Sequence, residues 1–357
     1  MDILVLDNNL NAVDIIDTYE SLIWTERYNK YGDFELYAVV SDDILQLMKS
    51  DYYLETIDSE HVMIIEDMVI KADVEDGNHI TITGRSLESI LDRRLIWGYA
   101  SLSGSLQDGI EKLLNDAIIN PTNTDRKIEN FIFKASDDPV ITGLTLTAQF
   151  PAGESLYEVI SSICIEYGIG FKITLNDYRQ FVFELYAGAD RSYDQVANPY
   201  VVFSPNFENL SNSNYAKTKS GYKNVTLVGG EGEGLDRRYT SAGSGSGLNR
   251  REVFTDASGT TSDVGDGTQI TDEQYMAILQ QKGEEALATQ TVTTSFEGEA
   301  ETTVLFKYGI DFFMGDILQI QNEYGHESTA RVTELVTSHN EEGLSVYPTF
   351  ENLKEGE

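Results

Sequence analysis

Trp24-Thr25-Glu26-Arg27-Tyr28-Asn29-Lys30-Tyr31-Gly32-Asp33-Phe34-Glu35-Leu36 is the stretch on which the fold turns. Leu22, Trp24, Phe34 and Leu36 alternate with polar or charged neighbours, at the period of two that half-buried strands require. Between the arms, Asn29 to Asp33 supplies turn chemistry, with Gly32 free to take a positive φ. A β-hairpin is expected here, with Trp24, one of two Trp residues in the chain, anchored in a small barrel or sheet core. Nothing in the stretch is set up for catalysis.

The rest of residues 1–98 also reads mostly as β. Short apolar strands at Ile3 to Leu6 and Ala12 to Ile16 flank an Asp7-Asn8-Asn9 turn, and Asp42 to Lys49 has room for one or two helical turns. His61 to Ile70 and His79 to Thr83 are expected to pair through the turn Glu75-Asp76-Gly77-Asn78. Thr83 to Arg94 reads as a strand end entering a short helix capped by Ser86, with Arg93 and Arg94 at its C-terminal end.

Residues 99–200 change character. Ser105 caps a helix whose Leu106, Ile110, Leu113, Leu114 and Ala117 share one face. Ser155-Leu156-Tyr157-Glu158 is a capping box that starts a second helix, and Gly168 is its stop. Cys164 falls on the apolar face of that helix and is expected to be a buried, inert thiol. Gly170 to Leu175 and Gln180 to Tyr186 alternate as a hairpin across Asn176-Asp177. This is an α/β segment.

Residues 201–228 return to β, with Tyr222 to Val228 the clearest strand. Ten of the 29 glycines fall in residues 229–268, which predicts a long mobile loop or extended hairpin. Gly230-Glu231-Gly232-Glu233-Gly234 is not a phosphate cradle, since its spacing is wrong and its glutamates repel phosphate. Asp263-Val264-Gly265-Asp266-Gly267 lacks the ligand ladder of a calcium loop. Thr271-Asp272-Glu273-Gln274 opens a helix over 271–289. Strands are expected at Thr291 to Phe296, Thr302 to Phe306, Ile317 to Gln321, Thr329 to Val336 and Leu344 to Tyr347, with Lys354 to Glu357 fraying.

Composition narrows the function classes. The 357 residues carry 60 acidic and 25 basic side chains, a formal charge of −35, which repels nucleic acid and anionic membrane. A lone cysteine excludes a disulfide framework, and no apolar run reaches the ~20 residues of a membrane span. The N-terminus has no basic leader-like region, so a soluble protein made in a cytoplasm is expected. His61, His79, His326 and His339 fall singly, without metal-ligand spacing, and no hydrolase elbow, P-loop or kinase signature occurs. No catalytic residue, metal ligand or cofactor is expected.

Several runs, in order, resemble a known family. Trp24, Arg27 and Gly32-Asp33-Phe34-Glu35-Leu36 come first, followed by Gly84-Arg85-Ser86-Leu87 in a helix ending at Arg94. Tyr186-Ala187-Gly188-Ala189-Asp190-Arg191-Ser192 and a Gly-Glu-rich run ending in Arg237 and Arg238 come next. Tyr308 to Asp316 then supplies Gly-x-Asp-Phe-x-x-Gly-Asp, with Asp311, Gly315 and Asp316, ahead of Arg331 to Glu334. Together they resemble the siphophage tail-associated, or baseplate hub, proteins, related in fold to the central baseplate hub of contractile-tailed phages.

The resemblance implies a β-rich α+β, multidomain chain: two small related β-barrels, an α/β insert and a further small domain. Residues 1–98 would form the first barrel, which strands near 201–228 could complete. Residues 99–200 would be the insert, and 201–357 the second barrel and small terminal domain. It further implies a structural virion protein, a homotrimer at the distal tail tip, assembled in the host cytoplasm. Its partners would be the distal tail protein or tail tube, the tape measure protein and other tail-tip or receptor-binding proteins. DNA would pass through its channel during genome ejection without specific binding, and no membrane insertion is implied. Trp24, Arg27, Gly32, Phe34, Gly84, Arg94, Asp311, Gly315 and Asp316 would be structural motif positions. Asp311 and Asp316 suit turn capping, and Arg237 and Arg238 are candidate partner contacts. Two other classes fit the composition: a glycan-binding or cell-wall-degrading tail-tip protein, with 20 Tyr residues available, and a hexameric distal tail adaptor.

Overall fold

Strands β1 (Ile3–Leu6), β2 (Ala12–Ile16), β3 (Ser21–Arg27) and β4 (Asp33–Val39) lead into helix α1 (Asp42–Leu47). β5 (Tyr53–Glu55), β6 (Met63–Asp73) and β7 (Gly77–Ser86) follow, and the hydrogen-bonded order is β3-β4-β7-β6-β5-β1-β2. The computed structural model describes residues 1–73, 77–263, 269–300, 305–324 and 327–352. Expectations for 75–76, 264–267, 302–304, His326 and 353–357 lie outside the described residues.

The strands of this N-terminal lobe curl around one core. Ile3, Ile16, Trp24, Phe34, Leu54, Met63 and Ile82 come from seven different strands and meet in a single buried cluster. In the register of β3 and β4, Trp24 sits opposite Phe34, with ring centroids 6.3 Å apart. Burial of an apolar side chain of this kind contributes roughly 1.5–3 kcal/mol. Gly32 does not take a positive φ; glycine is required there because a Cβ would lie 2.1 Å from the Thr25 carbonyl oxygen. Ser86 precedes a 3-10 helix, Leu87–Arg93, but its hydroxyl does not cap that helix. It accepts the Gly32 N–H at 2.7 Å instead, because the hairpin turn is folded against it.

The insert comprises β8 (Ala100–Ser105), α2 (Leu106–Leu114), β9 (Phe131–Lys134), α3 (Pro139–Thr142), β10 (Thr145–Phe150), α4 (Leu156–Glu166), β11 (Gly170–Leu175) and β12 (Phe181–Tyr186). β8 pairs with β10, and β11-β12-β9 forms a second small sheet. Ser105 and Ser155 accept the N–H groups of Asp108 and Glu158, satisfying the open first turns of α2 and α4. Ile110, Leu114, Ile160, Ile163, Phe171 and Phe183 then share one core. α4 gives way to Gly168 at φ +64°, and burial of Cys164 on its apolar face pushes the thiol pKa up.

The remaining elements are β13 (Val202–Phe203), β14 (Leu210–Thr218), β15 (Val225–Gly229), β16 (Tyr239–Gly243), β17 (Glu252–Asp256), α5 (Asp272–Ala288), β18 (Thr293–Ala300), β19 (Ile317–Gln321), β20 (Glu327–Asn340) and β21 (Gly343–Asn352). The loop expected over 229–268 is, in its described part, largely folded. β16 runs antiparallel and β17 parallel to β15, and Val228 of this sheet packs on Tyr275 and Leu279 of α5. Glycine here serves close approach rather than looseness: a Cβ on Gly230 would lie 2.4 Å from the Tyr275 hydroxyl.

Phe203, Leu210, Phe312, Leu318, Val332 and Phe350 build the core of a C-terminal lobe. β20 pairs antiparallel with β3, placing Arg27 opposite Glu334 and Trp24 opposite Thr337. One 13-stranded sheet thus runs through both lobes. β20 is the strand that extends the N-terminal sheet, whereas β14 pairs with β18. The architecture is strand-rich α+β, with several sheets and two lobes, each with its own core.

Candidate assembly junction

Tyr28 directly follows β3 at the place where both lobes and the insert meet, and it is fully buried. Its hydroxyl lies 3.2 Å from the Gly168 carbonyl and 3.4 Å from that of Tyr186, and it accepts the Gly188 N–H at 3.4 Å. The Tyr186 ring meets it edge-on at 5.2 Å, and the Arg331 guanidinium lies over it at 5.3 Å. Burial raises the pKa of both phenols.

Close backbone approach makes this packing possible. A Cβ on Gly170 or Gly315 would lie 2.5 or 2.2 Å from the Tyr28 ring, and one on Gly188 would lie 1.9 Å from the Gly315 carbonyl carbon. Asp316 closes the arrangement by accepting from the Ala189 N–H (2.7 Å), Arg191 Nε (2.6 Å) and the Phe313 N–H (3.0 Å). The hairpin turn is itself seated on α4, where Ser161 donates to the Asn29 carbonyl and Tyr157 accepts the Tyr31 N–H. Arg27 pairs with Asp33 and, at 2.6 Å, with Glu334, which fixes the β3–β20 register.

A second contact joins the N-terminal lobe to the insert. His61 Nδ1 lies 3.2 Å from Glu88 Oε1, and its Nε2 lies 4.0 Å from Glu26 Oε2. Glu88 also accepts the Ile173 N–H of β11 at 2.9 Å. Burial alone would lower the His61 pKa, but Glu88 and then Glu26 override it and push it up to about 9. Burial likewise disfavours the Glu88 carboxylate, yet His61 holds its pKa below the usual range. Ser59 donates to Glu26 and accepts the His61 N–H, so its hydroxyl is committed to this network. His61, Glu88 and Glu26 are all buried, and through Glu88 the cluster fastens the N-terminal lobe to β11.

The structure gathers Arg27, Gly315 and Asp316 around Tyr28, and puts Trp24, Gly32, Phe34 and Gly84 in the N-terminal lobe. A Cβ on Gly84 would lie 1.8 Å from the Ile64 carbonyl oxygen. Asp311 accepts the Lys307 N–H and holds its own turn. Arg94 lies apart, donating to the Arg126 carbonyl at 3.1 Å. Arg237 donates to the carbonyls of Gly229 and Gly230 and pairs with Asp256. Arg238 reaches Asp272 at 3.3 Å and lies over the Tyr275 ring. Sequence reading passed over Tyr28 itself, although it keeps the parity of Leu22 and Trp24. Among the described residues no group of three or more His, Cys, Asp or Glu side chains could hold a metal ion, and no helix is long and apolar enough to cross a membrane.

A family model described as Siphovirus ReqiPepy6 Gp37-like protein matches residues 2–350. Among curated proteins, none matches the sequence. In fold, the chain is similar to prophage tail protein gp18 from Listeria monocytogenes EGD-e, with a TM-score of 0.59 at 12% identity over 100% of this chain and 96% of that one. It is also similar to a tail protein from Neisseria meningitidis MC58, with a TM-score of 0.58 at 14% identity over 98% and 96% of the two chains. The 43 kDa tail protein of prophage MuSo2 from Shewanella oneidensis gives 0.57 at 11% identity over 99% and 98%.

Proposed function

The chain belongs to the siphovirus ReqiPepy6 Gp37-like family and has the fold of phage tail proteins, and we propose that it forms the trimeric hub at the distal end of a siphophage tail. The observation that carries this reading is the pair of lobes, each with its own core, joined by the β3–β20 ladder and braced at Tyr28. Three copies would present six lobes, a pseudo-sixfold collar able to sit on a sixfold distal tail protein or tail tube. In this reading residues 1–98 and 201–357 supply the lobes, and 99–200 project as the insert. The ring would surround a channel for the tape measure protein and then DNA, and the −35 charge suits a lining that a polyanion does not adhere to. The hub works by binding, through apolar and hydrogen-bonded faces, and asks no catalysis of any residue. The part of Arg238 left exposed, 34% of its side chain, is the better placed of the two loop arginines for a partner contact.

Native mass measured across a dilution series tests the assembly. A species near three times 39.9 kDa is expected. A hexamer would overturn the hub reading in favour of a distal tail adaptor, and a chain that stays monomeric with the tail-tube protein added would overturn it outright.

A further inference from the structure

A cleft of about 350 Å³ opens on the insert, away from the Tyr28 junction, and Trp97, Tyr99, Asp116, Thr122, Asn123 and Arg126 are among the residues that line it. Trp97 is 64% exposed and Tyr99 51% exposed, unlike Trp24, which is 1% exposed. The Arg126 guanidinium lies over the Trp97 ring at 4.4 Å and donates to the Leu95 carbonyl at 2.6 Å. One face of the indole is therefore braced, and the exposed remainder is open to a ligand.

We propose that this cleft is a saccharide-binding subsite that takes a neutral pyranose unit of a surface polysaccharide. A pyranose has an apolar C–H face and a rim of hydroxyls, so it asks for an exposed aromatic plane beside clustered donors and acceptors. Trp97 provides the plane, and Tyr99 a second exposed ring at the cleft. Asp116 provides an acceptor, Thr122 a hydroxyl that does both, and Asn123 two amide hydrogens, since its Oδ1 is occupied by the Asp125 N–H. The volume lies at the small end of the range for ligand sites, the right order for one or two sugar rings. Asp116 argues against an anionic sugar, and Arg126 is already committed to the ring and to the Leu95 carbonyl. A protein-docking patch would instead centre on dry apolar residues with the polar groups at its rim.

The platform is also held in place before any ligand arrives. The Ile96 N–H donates to Glu154 O, the Gly153 N–H to Ile96 O and the Leu156 N–H to Arg94 O, at 2.8–3.0 Å, which ties the Trp97 segment to the start of α4. A sugar would meet a rigid aromatic face with little ordering cost. The inference does not depend on the hub reading.

The two tryptophans make the test selective, because acrylamide quenching reports on exposed Trp97 and not on Trp24. The full chain would be screened on an array of neutral capsular, O-antigen and cell-wall oligosaccharides, and each hit titrated by quenching and by calorimetry. Saturable protection of Trp97 by at least one oligosaccharide is expected. By calorimetry, Trp97→Ala should weaken binding by about tenfold or more, Trp97→Phe should retain most of it, and Asp116→Asn should weaken it several-fold. Trp97 is exposed, so its variants should keep the parent's unfolding temperature. No protection by any oligosaccharide, or undiminished binding by Trp97→Ala, would overturn the proposal. So would protection that appears only when the tail-tube protein is added, which would make the patch a protein contact.

Discussion

Two of the contacts that fasten the insert to the lobes are of opposite kind. At His61 the fastening rests on charge: within the N-terminal lobe an imidazolium lies between Glu88 and Glu26, and the Glu88 carboxylate accepts the Ile173 N–H of β11 across the seam. At Tyr28 it is steric, a phenol enclosed by three glycines and an Arg side chain. The difference lies in what each contact depends on. The ionic one requires a particular protonation state, whereas the steric one is indifferent to pH but has no room for a single added methyl.

The comparison can be broken most directly at the steric contact. Gly188→Ala would place a carbon 1.9 Å from the Gly315 backbone, and Gly315→Ala would add strain at φ +87° to a clash with Tyr28. Each should cost about 3 kcal/mol or more, at every pH, read as insoluble expression or a much lower urea midpoint. A midpoint equal to that of the parent would show that the junction is loosely packed. Trp24→Ala, in the core beside this seam, should cost about 3–5 kcal/mol; an undestabilised, soluble variant would mean the hairpin does not organise the lobe.

Glu88→Gln tests the ionic contact. It keeps an acceptor for the Ile173 N–H but leaves His61 with Glu26 alone, at a cost of about 2 kcal/mol near neutral pH. Solvent pH probes the same bond without mutation. Folding raises the His61 pKa from 6.5 to about 9, so its contribution is complete below about 6.5 and is lost as pH climbs towards 9. Folding lowers the Glu88 pKa, so its contribution is complete above the ordinary 4.5 and is lost as pH falls below that. Chemical denaturation at pH 6.5 and pH 9 should therefore differ by roughly 2–3 kcal/mol in the parent and by much less in His61→Gln. Equal slopes in both would remove His61 from the account. The smallest effect is at Cys164: the folded chain should resist thiol reagents that label it readily in urea, and rapid native labelling would show that the α4 face opens.

What could be read from the sequence was local. Period-two alternation around Trp24 and Phe34 gave the hairpin, and Ser105, Ser155, Gly168 and Thr271 marked helix ends that the structure places within a residue or so. The rest depended on contacts distant in sequence. Gly32 was read as a turn residue although its constraint is the Thr25 carbonyl, and Ser86 as a helix cap although its partner is Gly32. The glycines near Gly230 read as looseness because the helix they face, α5, begins some 40 residues later. His61 and Glu88 were unremarkable singly, since a buried pair becomes visible only once the segment before β6 and the 3-10 helix after β7 are placed.

The pairing of Arg27 with Glu334 spans 307 residues. A ribosome adding residues one after another needs on the order of 15–60 s to cover that distance. For that interval β3, already paired to β4 on one side, has its other edge open, which is the template that strand-adding neighbours exploit. A strand made near the end of the chain is thus a lock on one made near its start, and a subunit cannot reach its finished shape until translation of β20 is complete. In a crowded cell the open edge of β3 stays available to wrong strand partners until whole chains exist.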